Sequence, residues 1–91
     1  MQYYMIEWDQ EAEDEPWQLY LELDSRGTIR RKVDSYRVGV YESFDDLDTP
    51  PVDPRQIAGS EGHVTDLNRA QFDDIWDQSR QMPDGFMGMF Y

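Results

Sequence analysis

Few residues in this chain are of the types that carry nucleophilic or acid–base catalysis. His63 is its single histidine, and there is no cysteine. His63 follows the glycine-rich segment Gly-Ser-Glu-Gly at residues 59–62, and no serine occupies a nucleophile motif that a histidine base would activate. The sequence therefore predicts no catalytic residue and places His63 in a solvated loop.

Carboxylates are the abundant reactive groups, with 20 Asp and Glu in 91 residues. Paired acids can hydrolyse glycosidic bonds, but no spacing here singles out such a pair. Asp45, Asp46 and Asp48 could gather a hard cation, yet they lack the alternating ligands and terminal glutamate of an EF-hand loop. We expect no metal, no cofactor and no enzymatic activity. A small carboxylate enzyme or metal-binding protein remains the alternative.

The first 25 residues suggest binding rather than catalysis. They hold eight carboxylates and no Lys or Arg, and aromatic residues are interspersed among them. The net charge of the chain is −12, although residues 26–37 carry five bases against one acid. A charge of this size repels nucleic acid and anionic membranes and attracts basic proteins. Simple solubility explains the charge equally well. The lack of cysteine favours a reducing cytoplasm.

Residue patterns predict an α+β fold with an antiparallel sheet of about four strands and one main helix. Period-two alternation predicts strands over residues 3–8, 17–24, 28–36 and 40–44. Asp53 followed by Pro54 predicts a short helix over residues 54–58. Asn68 and Gln71 form a capping-box pair that opens a main helix over residues 69–81, which Pro83 is expected to end. Residues 82–91 form an apolar tail.

Alternation also assigns faces to the predicted strands. The residues expected to point inward are Tyr4, Ile6, Trp8, Trp17, Leu19, Leu21 and Leu23. The main helix carries an apolar stripe of Phe72, Ile75 and Trp76, which we expect to pack on this face. Tyr20, Glu22 and Asp24 are expected to point outward. A hairpin turn at Gly27 sets the basic third strand beside the acidic second, so its bases should neutralise Glu22 and Asp24.

After this neutralisation, the acidic loop between the first two strands has no structural role. The predicted partner-binding residues are its carboxylates and one neighbouring tyrosine: Asp9, Glu11, Glu13, Asp14, Glu15 and Tyr20. Charge complementarity would speed association with a basic protein. We expect no direct binding of nucleic acid or membrane. A structural homo-oligomer is the other alternative, with a homodimer formed through the tail at residues 82–91.

Several motifs together resemble an uncharacterised family of short bacterial proteins, a domain of unknown function. The similar segments are Tyr3-Tyr4-Met5-Ile6-Glu7-Trp8, Asp14-Glu15-Pro16-x-x-x-Tyr20-x-Glu22-Leu23-Asp24, Arg31-Lys32-Val33-Asp34-x-Tyr36-Arg37-x-Gly39, residues 50–57 and Gln71-Phe72-x-x-x-Trp76. The resemblance covers most of residues 3–80 and implies a strand, a hairpin and a C-terminal helix. It implies no catalytic or ligand residues. Small acidic proteins of this type are similar to immunity proteins and to inhibitors that mimic nucleic acid, which is an analogy of size and charge.

Overall fold

The computed structural model describes residues 1–9 and 14–88, and for residues 81–88 it describes the backbone alone. The described residues form five strands and two helices. In chain order these are β1 (Gln2–Trp8), β2 (Gln18–Leu23), β3 (Ile29–Ser35), β4 (Tyr41–Phe44), α1 (Pro54–Ala58), β5 (Gly62–Leu67) and α2 (Arg69–Gly88).

The strands form one antiparallel sheet in the order β4-β3-β2-β1-β5. The predicted α+β class is confirmed, with five strands rather than about four. The additional strand is β5, which contains His63, so the expectation of a loop histidine was wrong. The strand pattern is weak there because Val64 and Leu67 fall on opposite faces of the sheet.

Local hydrogen bonds explain where several elements begin. Asp53 accepts a bond from the Arg55 N–H (3.0 Å), which caps α1 at the predicted residue. The Asn68 and Gln71 side chains each accept a bond from the other's backbone N–H at 2.8 Å. This reciprocal pair is the predicted capping box, and it fixes the start of α2.

One face of the sheet packs against α1 and the segment that precedes it. Ile6 and Leu21 are fully buried at the centre of this face. The core around them consists of the buried residues Leu23, Ile29 and Ala58 and the half-buried residues Tyr4, Trp8, Leu19, Leu47, Val52, Ile57 and Val64. These include most of the residues that alternation had assigned to the interior.

The main helix covers the opposite face, and here the predicted packing was wrong. Phe72 is fully buried, and the centroid of its ring lies 5.3 Å from that of Tyr3. Tyr3 is on the opposite face of β1 from Tyr4 and Ile6. Glu22 pairs with Tyr3 in the strand register and is only 6% exposed, so it does not point into solvent. The sheet is thus covered on both faces, which the single apolar face of the early strands did not indicate.

The helix is also longer than predicted. Its backbone continues past Gln81 and through Pro83 to Gly88. A proline inside a helix removes one backbone hydrogen bond and bends the axis, so it does not have to end the helix. The predicted docking of the tail rests on the side chains of residues 82–88 and on residues 89–91, all of which lie outside the described part of the structure.

Candidate partner-binding surface

The bases of β3 are engaged in ion pairs on both faces of the sheet. Arg31 donates two hydrogen bonds to the Glu22 carboxylate, at 2.9 and 2.7 Å, so the predicted neutralisation of Glu22 is confirmed. On the other face, the Lys32 ammonium lies 3.4 Å from Asp34. Arg31 and Lys32 are therefore held in ion pairs within the sheet.

Arg31 is the centre of a half-buried cluster between α2 and the sheet. Its guanidinium also bonds Asp73 at 3.2 Å and lies 5.0 Å from the ring centroids of both Phe72 and Trp76. Hydrogen bonds with Glu22 raise the pKa of Arg31, since they favour the charged guanidinium. Burial, followed by the charge of Glu22, raises the pKa of Tyr3. The cluster holds α2 on the sheet.

Acidic groups collect at the edge of the sheet opposite β4. They lie on β1, on β5, in the loop that follows β1 and in the loop that precedes β5. Residues 1–25 contain no Lys or Arg, and neither do residues 56–68. The two segments are distant in sequence, but β5 pairs with β1 along its whole length, from Tyr3 opposite Leu67 to Trp8 opposite Gly62. One side of the molecule is therefore built from two base-free segments. Its exposed carboxylates are Asp9, Asp14, Glu15, Glu61 and Asp66.

A groove of about 840 Å³ opens at the end of this acidic side. Asp9, Glu15 and Glu61 supply its carboxylates, while Trp8 and Leu19 supply an apolar wall that continues into the core. His63, Pro16 and Ser60 complete the lining. The shape and composition suit a cationic side chain with an aliphatic stem, since the stem would lie on the apolar wall and the charge beside the carboxylates.

The wall of the groove is fixed by one close contact. The Trp8 indole N–H donates to the carbonyl of Ala58 at 2.9 Å and so joins β1 to α1. Gly62 allows this contact, because a Cβ at that position would lie 2.6 Å from the Ala58 oxygen and 2.7 Å from the indole nitrogen. The glycine at the start of β5 is thus required by packing.

The structure brings together part of the predicted binding set. Asp9 and Glu15 line the groove, and Asp14 is exposed beside them. Glu11 and Glu13 lie outside the described residues. Tyr20 does not face the groove: it is half-buried on the α2 face of the sheet, where its hydroxyl donates to Gln18 at 2.8 Å. Burial raises the pKa of the Tyr20 hydroxyl.

Arg37, in the turn between β3 and β4, reaches across to the acidic loop. Its guanidinium lies 3.6 Å from Asp9 and 4.8 Å from the centroid of the Trp17 ring. Trp17 is half-buried beside this arginine rather than inside the core cluster. The ion pair neutralises one carboxylate at the edge of the groove and joins the end of β1 to the turn between β3 and β4.

Sequence reasoning missed Glu61 and His63 as members of this surface. They reach the groove because β5 pairs with β1, and β5 was not predicted. His63 is exposed, and Glu7 lies opposite it in the strand register. Among the described residues, no three His, Cys, Asp or Glu side chains are placed to hold a metal ion.

These features define a small α+β protein whose five-stranded antiparallel sheet has one neutralised side and one acidic side. The model of a family described as a domain of unknown function, DUF6881, matches residues 2–81. The chain belongs to that family, and the match spans the whole sheet and the first part of α2. No curated protein and no solved structure matches the chain. Within the described residues, no helix has the length and apolar character needed to cross a membrane.

Proposed function

We propose that this protein is a non-enzymatic binding protein whose acidic side engages a basic partner protein. An immunity-type neutraliser of a toxin is one case, and an inhibitor that mimics nucleic acid is another. The observation that carries the proposal is the pairing of β1 with β5, which joins the two base-free segments into one surface.

Charge distribution supports binding over simple solubility. Four bases of residues 30–37 are each within 4 Å of a carboxylate: Arg30 of Asp48, Arg31 of Glu22 and Asp73, Lys32 of Asp34, and Arg37 of Asp9. The two segments that pair as β1 and β5, residues 1–25 and 56–68, carry no Lys or Arg of their own, which a need for net charge alone does not require. A surface of one sign steers an oppositely charged partner and raises its association rate.

Cytoplasmic location in a bacterium is part of the same proposal. The lack of cysteine supports it, since a chain without thiols needs no oxidising compartment to fold. A toxin or nucleic-acid enzyme of that compartment would present the basic surface that the groove and its carboxylates suit.

Charge reversal at matched positions tests the proposal. The test variant carries Glu61→Lys and Asp66→Lys, both on exposed positions of the acidic side. The control carries Asp74→Lys and Asp77→Lys, two exposed positions of α2. Each pair changes the net charge by the same amount, so only the location differs. Immobilised proteins are exposed to host lysate at low salt, and the captured proteins are identified by mass spectrometry.

We expect wild type and control to capture the same basic protein and the Glu61/Asp66 variant to lose it. Binding should weaken steeply with added salt, because exposed charges are screened beyond about 8–10 Å at physiological ionic strength. Equal loss in both variants would mean that net charge alone governs capture. Retention by the Glu61/Asp66 variant would exclude the acidic side as the binding surface.

A further inference from the structure

The outer edge of β5 presents backbone hydrogen-bonding groups that the sheet does not use. The backbone N–H of Trp8 donates to the Trp17 carbonyl at 2.9 Å and so points toward β2. Successive residues of a strand direct their backbone groups to alternate sides, so the next residue, Glu7, points toward β5. By the same alternation, the residues of β5 that bond to β1 are His63, Thr65 and Leu67.

The remaining residues of β5 therefore point away from the sheet. Gly62, Val64 and Asp66 direct their N–H and C=O groups outward along this edge, and β5 is the last strand on its side of the sheet among residues 1–9 and 14–88. Such an edge is a template for another strand.

The two edges of the sheet differ in how they are protected. β4 has only four residues, and beyond its end the chain still bonds to β3, where the Leu47 N–H donates to the Arg30 carbonyl at 3.3 Å. β5 has six residues and contains no proline, lysine or arginine, the residues that commonly blunt an edge. β5 is therefore the longer of the two edges that a further strand could pair with.

We propose that the β5 edge binds an extended, basic segment of a partner protein, which adds an antiparallel strand to the sheet. This inference rests on the proposed function and gives its mode of recognition. Backbone bonds to Gly62, Val64 and Asp66 would supply affinity, and side chains would supply specificity. Charge complementarity selects a basic segment, because Asp66 lies on the strand and the groove carboxylates lie beside Gly62 at its start.

The register defines a pattern for the segment. Partner residues opposite Gly62, Val64 and Asp66 are spaced by two, so their side chains share one face of the extended sheet. A base opposite Asp66, an apolar residue opposite Val64 and a base opposite Gly62, beside the groove, give the pattern base-x-apolar-x-base. A second copy of this chain is a poorer occupant, since two molecules of charge −12 repel each other.

A synthetic peptide of this pattern provides the probe: acetyl-Thr-Lys-Thr-Val-Thr-Lys-Thr-amide. Its matched control carries N-methyl groups on valine and both lysines, which removes the strand-pairing donors and leaves the charge unchanged. Binding to the full-length, ¹⁵N-labelled protein is followed by amide chemical shifts and by hydrogen exchange. We expect the Val64 and Asp66 amides to become protected and the N-methylated peptide to bind at least about tenfold more weakly.

Val64→Pro provides a second, independent test in which the protein is changed instead of the peptide. Its N–H faces outward, so proline removes a donor to the peptide without removing a β1–β5 bond. We expect at least about a tenfold loss of peptide affinity with a folded sheet by circular dichroism. If this variant does not fold, the comparison of the unmodified and N-methylated peptides on the wild-type protein still tests strand docking.

Three results would overturn strand docking on a basic segment. Equal binding of the two peptides would show that charge alone attracts them, and absence of binding by either would show that the edge is closed. Both leave the acidic-side proposal intact if Glu61→Lys with Asp66→Lys still abolishes partner capture. Protection of Val64 and Asp66 that grows with protein concentration, without peptide, would assign the edge to a second copy.

Discussion

Replacing Arg31 by methionine should destabilise this protein more than its position near the surface suggests. The guanidinium makes a two-bond pair with Glu22, whose side chain is 8% exposed, and stacks against Phe72 and Trp76. Methionine fills much of the volume and keeps contact with the rings, so the main change is electrostatic. Glu22 would remain as a buried carboxylate without a counter-ion.

The magnitude follows from the burial of each contact. Removing one partner of a buried ion pair costs about 3–5 kcal/mol, since the other charge stays desolvated. The Asp73 side chain is 42% exposed, so its pair with Arg31 adds no more than about 1 kcal/mol. Marginal stability of about 0.05–0.15 kcal/mol per residue gives a chain of 91 residues about 5–14 kcal/mol in total. Arg31→Met should therefore remove about a fifth or more of the free energy of unfolding.

Urea unfolding followed by circular dichroism and tryptophan fluorescence measures this loss. Two further variants separate charge from packing. Glu22→Met with Arg31→Met replaces the pair by two apolar side chains and should unfold within about 1 kcal/mol of wild type, because it strands no charge. Arg30→Met removes a 3.9 Å pair with an 89% exposed Asp48 side chain and should change stability by less than about 0.5 kcal/mol.

The outcome that refutes the reasoning is specific. If Arg31→Met lowers the free energy of unfolding by less than about 1 kcal/mol, Glu22 in the variant is hydrated or protonated and is not a buried anion. If the double variant is less stable than Arg31→Met alone, the ion pair contributes geometry that apolar packing cannot replace.

Two other predictions concern the close packing at Gly62 and the buried carboxyl group of Asp34. Gly62→Ala should cost about 2–3 kcal/mol in urea unfolding, because its Cβ would meet backbone and indole atoms at 2.6 and 2.7 Å. Gly39→Ala, with positive φ but open space around it, should cost about 1–2 kcal/mol, and equal or reversed costs would contradict the packing role of Gly62. Burial raises the pKa of Asp34 above its ordinary value of 3.8, so the folded protein binds that proton more tightly than the unfolded chain does. Wild-type stability should therefore fall as the pH rises from the unfolded-state pKa of Asp34 through its raised folded-state pKa. Asp34→Asn should remove this fall, so its advantage over wild type grows with pH and then levels off; a difference that is constant from pH 3.5 to 7 would contradict the assignment.

Elements with local signals could be predicted from the sequence. The helix at residues 54–58 and the capping box at Asn68 depend on neighbours within four residues, and both were correct. The first four strands alternate clearly enough to be placed within about a residue of their observed ends. β5 has no such signal. It becomes a strand because β1 offers an edge, which is a long-range pairing that no local window contains.

Assignment of the helix to the wrong face has a related cause. Alternation classifies Glu22 and Arg31 as polar and therefore solvent-facing, yet as a pair they are covered by Phe72. Charged residues can be buried when each satisfies the other, and a pattern that scores residues singly does not register that compensation. The pair is visible only once the strand register sets Glu22 opposite Arg31.

The same limitation applied to the candidate site, and it explains why the surface is larger than the predicted loop. Asp9 and Glu15 were identified from one base-free segment, whereas Glu61 and Asp66 come from a second segment that reaches them through β5. Carboxylates beside an unpaired strand edge have two consequences at once. They repel another copy of the chain, which protects the edge against self-association, and they attract a basic strand. An edge that carried lysines would give the first effect but would exclude basic partners. In the proposed docking, these acids would make the β5 edge selective for a basic strand.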